Sequence, residues 1–282
     1  MAVFGALTGD ILGSTFEFHP WRGGADALDF FPAGSFPTDD SVLTCAVAQA
    51  LIDAKRPGGG VDHARFARTV EVRLREFARA HAGAGYGGRF IRWMLMDDAP
   101  AYGSLGNGSA MRVSPCAWAA QSFDEALELA RLSAMPTHNH PEGVLGAQAA
   151  AAAVWWFREG RSAAEVRGLW AERFAGLGTL APLSTLAPPI PNDVTCSGTV
   201  PIALEAALES DGVLETVRRA VALGGDCDTI AAIAGAVAEG AAPVPDFVLS
   251  RVLALLPEDL RQTALAFESA FPRAYCTSEA AQ

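Results

Sequence analysis

The chain has 282 residues, 50% of them hydrophobic and 19% charged, enough for a sizeable core in one large domain or two small ones. That balance excludes a disordered or collagen-like chain. A formal charge of -11, from 21 basic and 32 acidic residues, would repel a phosphate backbone at long range, so nucleic acid is not an expected partner.

In chain order, the segment Met1 to Asp10 has no basic start, and its apolar run meets an aspartate early, which is not the pattern of a signal peptide. It leads into Gly9-Asp10-Ile11-Leu12-Gly13-Ser14-Thr15-Phe16-Glu17, which ends on an acid. After a break at Phe31 to Pro37, residues Val42, Leu43, Ala46, Val47, Ala50 and Leu51 fall on one helical face, and Asp62 to Arg79 repeats the pattern. The same spacing predicts helices over Phe123 to Leu132, Val144 to Phe157, Val200 to Leu208, Leu214 to Leu223, Ile230 to Val237 and Phe247 to Leu255. No alternating strand of five or more residues stands out. Further breaks lie at Arg56 to Gly60, Gly83 to Gly88 and Ala181 to Pro191. The last is proline-rich yet apolar through Leu183, Leu186 and Ile190, so it reads as a loop hugging the surface of one domain rather than as a linker.

Alanine occupies 55 positions and aromatic residues only 9%, which suits helices packed closely on helices. The expectation is a single all-α domain over residues 1–282. No stretch reaches about 18 uninterrupted apolar residues, so no membrane span is expected. Five cysteines (Cys45, Cys116, Cys196, Cys227, Cys276), odd in number and without a C-x-x-C pair, suggest reduced thiols in a cytoplasmic protein. The one lysine, Lys55, precedes Arg56-Pro57 and three glycines, which builds neither a Walker-type loop nor a buried Schiff-base lysine.

Acids and hydroxyls gather at helix starts. Thr38-Asp39-Asp40-Ser41 opens one predicted helix, and Gly224-Gly225-Asp226-Cys227-Asp228-Thr229 opens another. Capping explains part of this, since Thr38, Asp39 or Asp228 would each serve as an N-cap and acids suit the first turn. It does not explain two acids at each start, because crowded like charges are costly unless a cation neutralises them. Glu17, Asp39, Asp40, Asp226 and Asp228, with Thr38 and Thr229, form a hard-oxygen set without a Cys/His cluster. Such a set selects magnesium, calcium or manganese and is large enough for two ions. A second group is the glycine-rich Tyr102-Gly103-Ser104-Leu105-Gly106-Asn107-Gly108 running into a helix, where backbone amides can approach a phosphate, although a plain turn has the same composition. His138 and His140 follow in Thr137-His138-Asn139-His140-Pro141, with too few companion ligands for zinc.

Together these segments resemble the ADP-ribosylglycohydrolase family. The shared pattern is GDxxGxxxE at Gly9 to Glu17, TDDS at Thr38 to Ser41, GNGSAMR at Gly106 to Arg112, THNHPEG at Thr137 to Gly143, SGTVPIALEAAL at Ser197 to Leu208 and GGDCDTIAAIAGA at Gly224 to Ala236. The resemblance implies a compact orthogonal helical bundle with a binuclear magnesium site. It assigns Thr38, Asp39, Asp40 and Asp228 to one ion and Glu17, Asp226, Asp228 and Thr229 to the other, with manganese a possible substitute. It also implies that Gly103, Ser104, Leu105, Gly106, Asn107 and Gly108 cradle the diphosphate and distal ribose of ADP-ribose, with His138 nearby.

The implied reaction is hydrolysis at ribose C1 of an ADP-ribosyl group carried by a protein side chain or a small molecule, with Asp39 and Asp40 in the catalytic centre. Glu17 is the favoured base over the loop acids Asp97 and Asp98. Ser41, Thr199 and Leu105 depart from the family pattern, the last two where relatives carry aromatic residues, which bears on the leaving group. Two other functions stay open: hydrolysis of free nucleotides or nucleosides, and binding of ADP-ribose without catalysis. The presence of all five acids speaks against the second. The oligomeric state stays open as well, a monomer included.

Overall fold

A computed structural model describes residues 2–272, which form fourteen α-helices with no strand beyond isolated bridges joining Lys55 to Val61 and Gly106 to Thr195. The first seven are α1 (Phe4–Gly13), α2 (Asp39–Ala54), α3 (His63–Ala80), α4 (Gly88–Leu95), α5 (Gly108–Met111), α6 (Ser114–Ala119) and α7 (Phe123–Ala134). The others are α8 (Pro141–Arg158), α9 (Ala163–Arg173), α10 (Cys196–Leu208), α11 (Gly212–Ala222), α12 (Cys227–Ala241), α13 (Asp246–Leu255) and α14 (Glu258–Ala270). The all-α expectation holds, and each helix predicted from periodicity is present. Four of the cysteines are buried free thiols, whereas Cys276 lies outside the described residues. No helix among the described residues is long and apolar enough to cross a membrane.

Helices α1, α4, α6, α9 and α14 were not predicted, and α1 shows why. Every residue from Phe4 to Gly13 is buried, so the helix has no polar face and its sequence no contrast. It crosses α12, itself buried from Cys227 to Gly240, at the centre of the molecule. Gly5, Gly9 and Gly13 share one face of α1, and the crossing is backbone on backbone. A Cβ on Gly9 would lie 2.0 Å from the Ala231 carbonyl oxygen, and one on Gly13 would lie 2.3 Å from the Asp228 Cα. That closeness sets Asp10 of α1, and Glu17 just beyond it, beside the acids that open α12.

Around this pair, α8, α10 and α11 cover α12, while α2 packs against α1, α3 and α14. Helix α3 turns Phe66, Val70, Leu74 and Ala78 inward at four-residue steps. Its buried Arg75 reaches the carbonyls of Trp93, Met96 and Ala99, and its Arg79 the Met94 carbonyl, fixing the chain as it leaves α4. The proline-rich segment is no linker in this structure: Leu183 N–H donates to Glu209 Oε1 and Ile190 N–H to the Leu223 carbonyl, both 2.9 Å away.

Candidate functional site

Helix α2 begins at Thr38, the N-cap, whose Oγ1 accepts a long hydrogen bond from Asp40 N–H. A second tie comes from α1. Asp10, fully buried, accepts from Thr38 N–H at 2.9 Å, Thr38 Oγ1 at 2.5 Å, Ser41 N–H at 3.0 Å and the Ser41 hydroxyl. Four donors on one carboxylate fix α2 to α1 and account for the hydroxyl of Ser41. Asp39 N–H is held by the Ala84 carbonyl at 2.8 Å, which draws the 81–87 loop beside it.

Helix α12 begins after Gly224 and Gly225, whose φ values of 72° and 67° lie in the left-handed region. Side chains are excluded there by packing too, since a Cβ would meet Pro189 Cβ at 2.9 Å at the first position and the Pro191 carbonyl at 2.9 Å at the second. Asp226 takes the N-cap position without capping. Its Oδ2 instead accepts from Asn107 Nδ2 at 2.5 Å, and Asn107 Nδ2 also donates to Thr199 Oγ1 at 3.0 Å. Asp228, expected as a possible cap, lies inside the first turn, and Thr229 Oγ1 donates toward Asp40 Oδ2 at 3.3 Å.

These starts bring together two groups of carboxylates: Asp10, Asp40 and Asp228 in one, Glu17, Asp226 and Asp228 in the other. Within each group, one oxygen per residue lies within 4.8 Å of the others, and Asp228 belongs to both. Among the described residues no arginine or lysine pairs with any of them. Burial and repulsion from neighbouring acids push Asp40 and Asp228 well above the ordinary carboxylate range, and burial raises Asp10 and Asp226. Glu17, at the edge, is raised to about 7 by burial, Asp226 and Asp10, and Asp39 to about 8 by burial, Asp10 and Asp226. Asp40 Oδ1 is buried and has no hydrogen-bond partner. An all-oxygen donor set, an orphaned buried oxygen and uncompensated charge fit a hard divalent cation. The neighbouring Cys227 offers no thiolate, because burial holds its thiol protonated.

All of these acids but Asp10 open into a cavity of about 770 Å³, the size of site that takes a drug-sized ligand. Elsewhere its lining includes Arg89, Tyr102, Ser104, Gly106, Asn107, Gly108, Arg112 and His138. The Arg89 guanidinium lies 4.9 Å from the centroid of the Tyr102 ring and donates to the Tyr102 carbonyl. At another part of the lining Phe18, 75% exposed, and Phe36 present bare rings.

Of the residues singled out from the sequence, Glu17, Asp40, Asp226 and Asp228 meet in the two groups. Thr38 and Thr229 hydrogen-bond to them, and Asp39 lines the cavity outside both groups. The glycine-rich loop differs from a free amide cradle. Gly103 N–H donates to Asn139 Oδ1, Ser104 N–H to the Thr137 carbonyl, Gly106 N–H to Ser104 Oγ and Asn107 N–H to the Val194 carbonyl. Gly103 and Leu105 do not line the cavity, and Thr199 is buried under Asn107 rather than on the cavity wall. Asp97 is ion-paired to Arg79 on the surface, and His140 caps α8. Two residues of the site carry no signal of their own in the sequence: Asp10, a lone acid inside the Gly9 to Glu17 motif, and Arg89, which no motif marks.

An all-α fold with a buried carboxylate cluster beside a mixed, partly cationic cavity defines a class of protein, and comparison with known proteins narrows it. The family model described as ADP-ribosylglycohydrolase matches residues 1–275, and the chain belongs to that family. It is 27% identical to human "ADP-ribosylhydrolase ARH3" over 83% of this chain and 82% of the relative. The mouse protein of the same name is 32% identical over 57% of this chain and about half, 49%, of its own length. A solved structure titled "ADP-ribosylglycohydrolase-related protein complex" superposes with a TM-score of 0.67 at 25% identity, covering 95% of both chains.

Proposed function

We propose that the protein is a magnesium-dependent hydrolase that cleaves the bond from ribose C1 to an attached nitrogen or oxygen in ADP-ribosylated proteins or small molecules, releasing ADP-ribose. The reading is carried by one observation: five carboxylates, those of Glu17, Asp39, Asp40, Asp226 and Asp228, line one part of a cavity with Asp10 buried behind them, and among the described residues none has a paired cation. Family membership and the two relatives named as ADP-ribosylhydrolases support the substrate class.

Glu17, Asp226 and Asp228 would hold one magnesium ion and Asp40 and Asp228 the other, with Thr38, Asp39 and Thr229 completing the oxygen set and Asp10, whose lone pairs are taken by Thr38 and Ser41, buttressing them from behind; manganese would suit the same oxygen set. Such ions, when bound, supply Lewis-acid stabilisation and lower the pKa of water. The chain's own residues do the rest. Arg89, Tyr102, Gly108 and His138 bind and orient the ADP portion. Glu17 is the half-buried member of the two carboxylate groups and faces the cavity, so it is placed to take the proton of an attacking water.

The test offers purified protein arginine-, serine- and base-linked ADP-ribose, with and without magnesium, beside Asp39→Ala and Asp40→Ala. ADP-ribose release from at least one substrate, lost on chelation and in the Asp40 variant, is expected. Release that survives both would overturn the metal-dependent reading. No release from any substrate would overturn the hydrolase reading itself.

A further inference from the structure

With four amides of the glycine-rich loop engaged inside the protein, an anion entering the cavity depends on other donors. His138 is 4% exposed, and its Nε2 has no hydrogen-bond partner among the described residues. That nitrogen faces the loop closely enough that a Cβ on Gly108 would approach it to 3.1 Å. The other ring nitrogen, Nδ1, lies 2.7 Å from Thr137 Oγ1, and the same oxygen accepts from Arg112 Nη2 at 2.9 Å.

This arrangement resolves where the imidazole proton sits. A guanidinium only donates, so Arg112 occupies a lone pair of the threonine hydroxyl. The hydroxyl has one proton, and Nδ1 is the acceptor within its reach. In the reverse arrangement Nδ1–H would donate to Oγ1 and leave a buried O–H unbonded, at a cost of about 1–3 kcal/mol. Burial and the nearby Arg112 and Arg89 hold the ring neutral. One of its nitrogens then carries the proton, and the network makes that nitrogen Nε2.

Behind this pair, Arg112 is fully buried and makes no ion pair among the described residues; Nη2 also reaches the Ser133 carbonyl at 2.9 Å, but Nε and Nη1 have no partner. A buried cation without a counter-charge is costly. Its position under His138 gives this part of the cavity a positive field suited to an incoming anion.

We propose that Thr137, backed by Arg112, is a positioning residue that fixes His138 in the Nε2–H form, making it a dedicated hydrogen-bond donor to the substrate diphosphate rather than a base. The identity of the ligand rests on the proposed function; the tautomer does not.

Long-range ¹H–¹⁵N NMR of the full chain, labelled at histidine and assigned by the signal lost in His138→Gln, reads the tautomer directly. Titration with ADP-ribose reads its use. The wild type is expected to carry its proton on Nε2. Thr137→Val should abolish that preference, leaving about half the rings competent and weakening ADP-ribose about twofold, and Thr137→Ser should restore both. A wild-type proton on Nδ1, or a Thr137→Val protein with tautomer and affinity unchanged, would overturn the proposal. Should the valine variant not fold, the wild-type spectrum alone decides. An Nε2–H ring in a protein that does not bind ADP-ribose would support the tautomer and count against the ligand and the proposed function.

Discussion

The acidic and the cationic parts of the cavity lining are placed by different means. The acids ride on backbone: glycines let α1 and α12 touch, and paired left-handed glycines start α12, so the carboxylates meet whatever their mutual repulsion. The cationic part is placed by side chains, with Arg75 holding the carbonyls beyond α4, Arg89 over Tyr102 and Arg112 behind Thr137. Charge set by backbone contact leaves no room for added volume. Charge set by side chains should tolerate conservative replacement.

The largest effect that would test this contrast is expected from Gly9→Ala. Its methyl group would collide with the Ala231 backbone, and we expect a loss of about 3 kcal/mol or more in urea unfolding. Gly88→Ala, where nothing lies within 4 Å, should stay within about 0.5 kcal/mol of the parent. Equal effects would mean that backbone contact does not hold the acids.

Asp40→Asn should act in two directions. Removing one of the crowded carboxylates raises the melting temperature of the metal-free protein, while ADP-ribose release falls by about a hundredfold or more and magnesium no longer stabilises. A metal-free protein that melts lower than the parent would show that the cluster is not repulsive.

On the cationic side, Arg89→Ala is expected to weaken ADP-ribose binding about tenfold, with Arg89→Lys between it and the parent, as calorimetry would show. A lysine variant as weak as alanine would mean that the planar guanidinium, not its charge, does the binding.

The smallest effect is on pH dependence. Glu17 and Asp39, raised to about 7 and about 8, hold their protons more tightly in the folded than in the unfolded chain. Their contribution is present below the unfolded value near 4 and is lost as pH rises through 7 to 8. The metal-free melting temperature should therefore fall by a few degrees from pH 5 to 8.5, and magnesium should raise it more at pH 8 than at pH 5.

The same contrast explains what the sequence disclosed. Helices with one apolar face, such as α3, were legible from spacing, and the acids were legible because two at one helix start exceed what capping requires. Helix α1 was not, since its burial on every side erases the periodic signal that marks a surface helix. Asp10 was hidden for a related reason: a lone acid in an apolar run carries no redundancy, and its four donors come from a segment 28 to 31 residues further on. The loop at Gly103 to Asn107 was recognised by composition, but which of its amides are already engaged depends on Thr137, Asn139 and Val194, which no local pattern ties to it.

On this reading the carboxylate cluster is a divalent-cation site. Calorimetric titration of magnesium into the metal-free protein at pH 6, repeated in buffers of different ionisation heat, tests it most directly. Saturable binding with release of protons is expected, because carboxyls that burial keeps protonated must ionise to bind, and Asp40→Asn should weaken it sharply. No saturable binding, or binding that Asp40→Asn leaves unchanged, would contradict the claim.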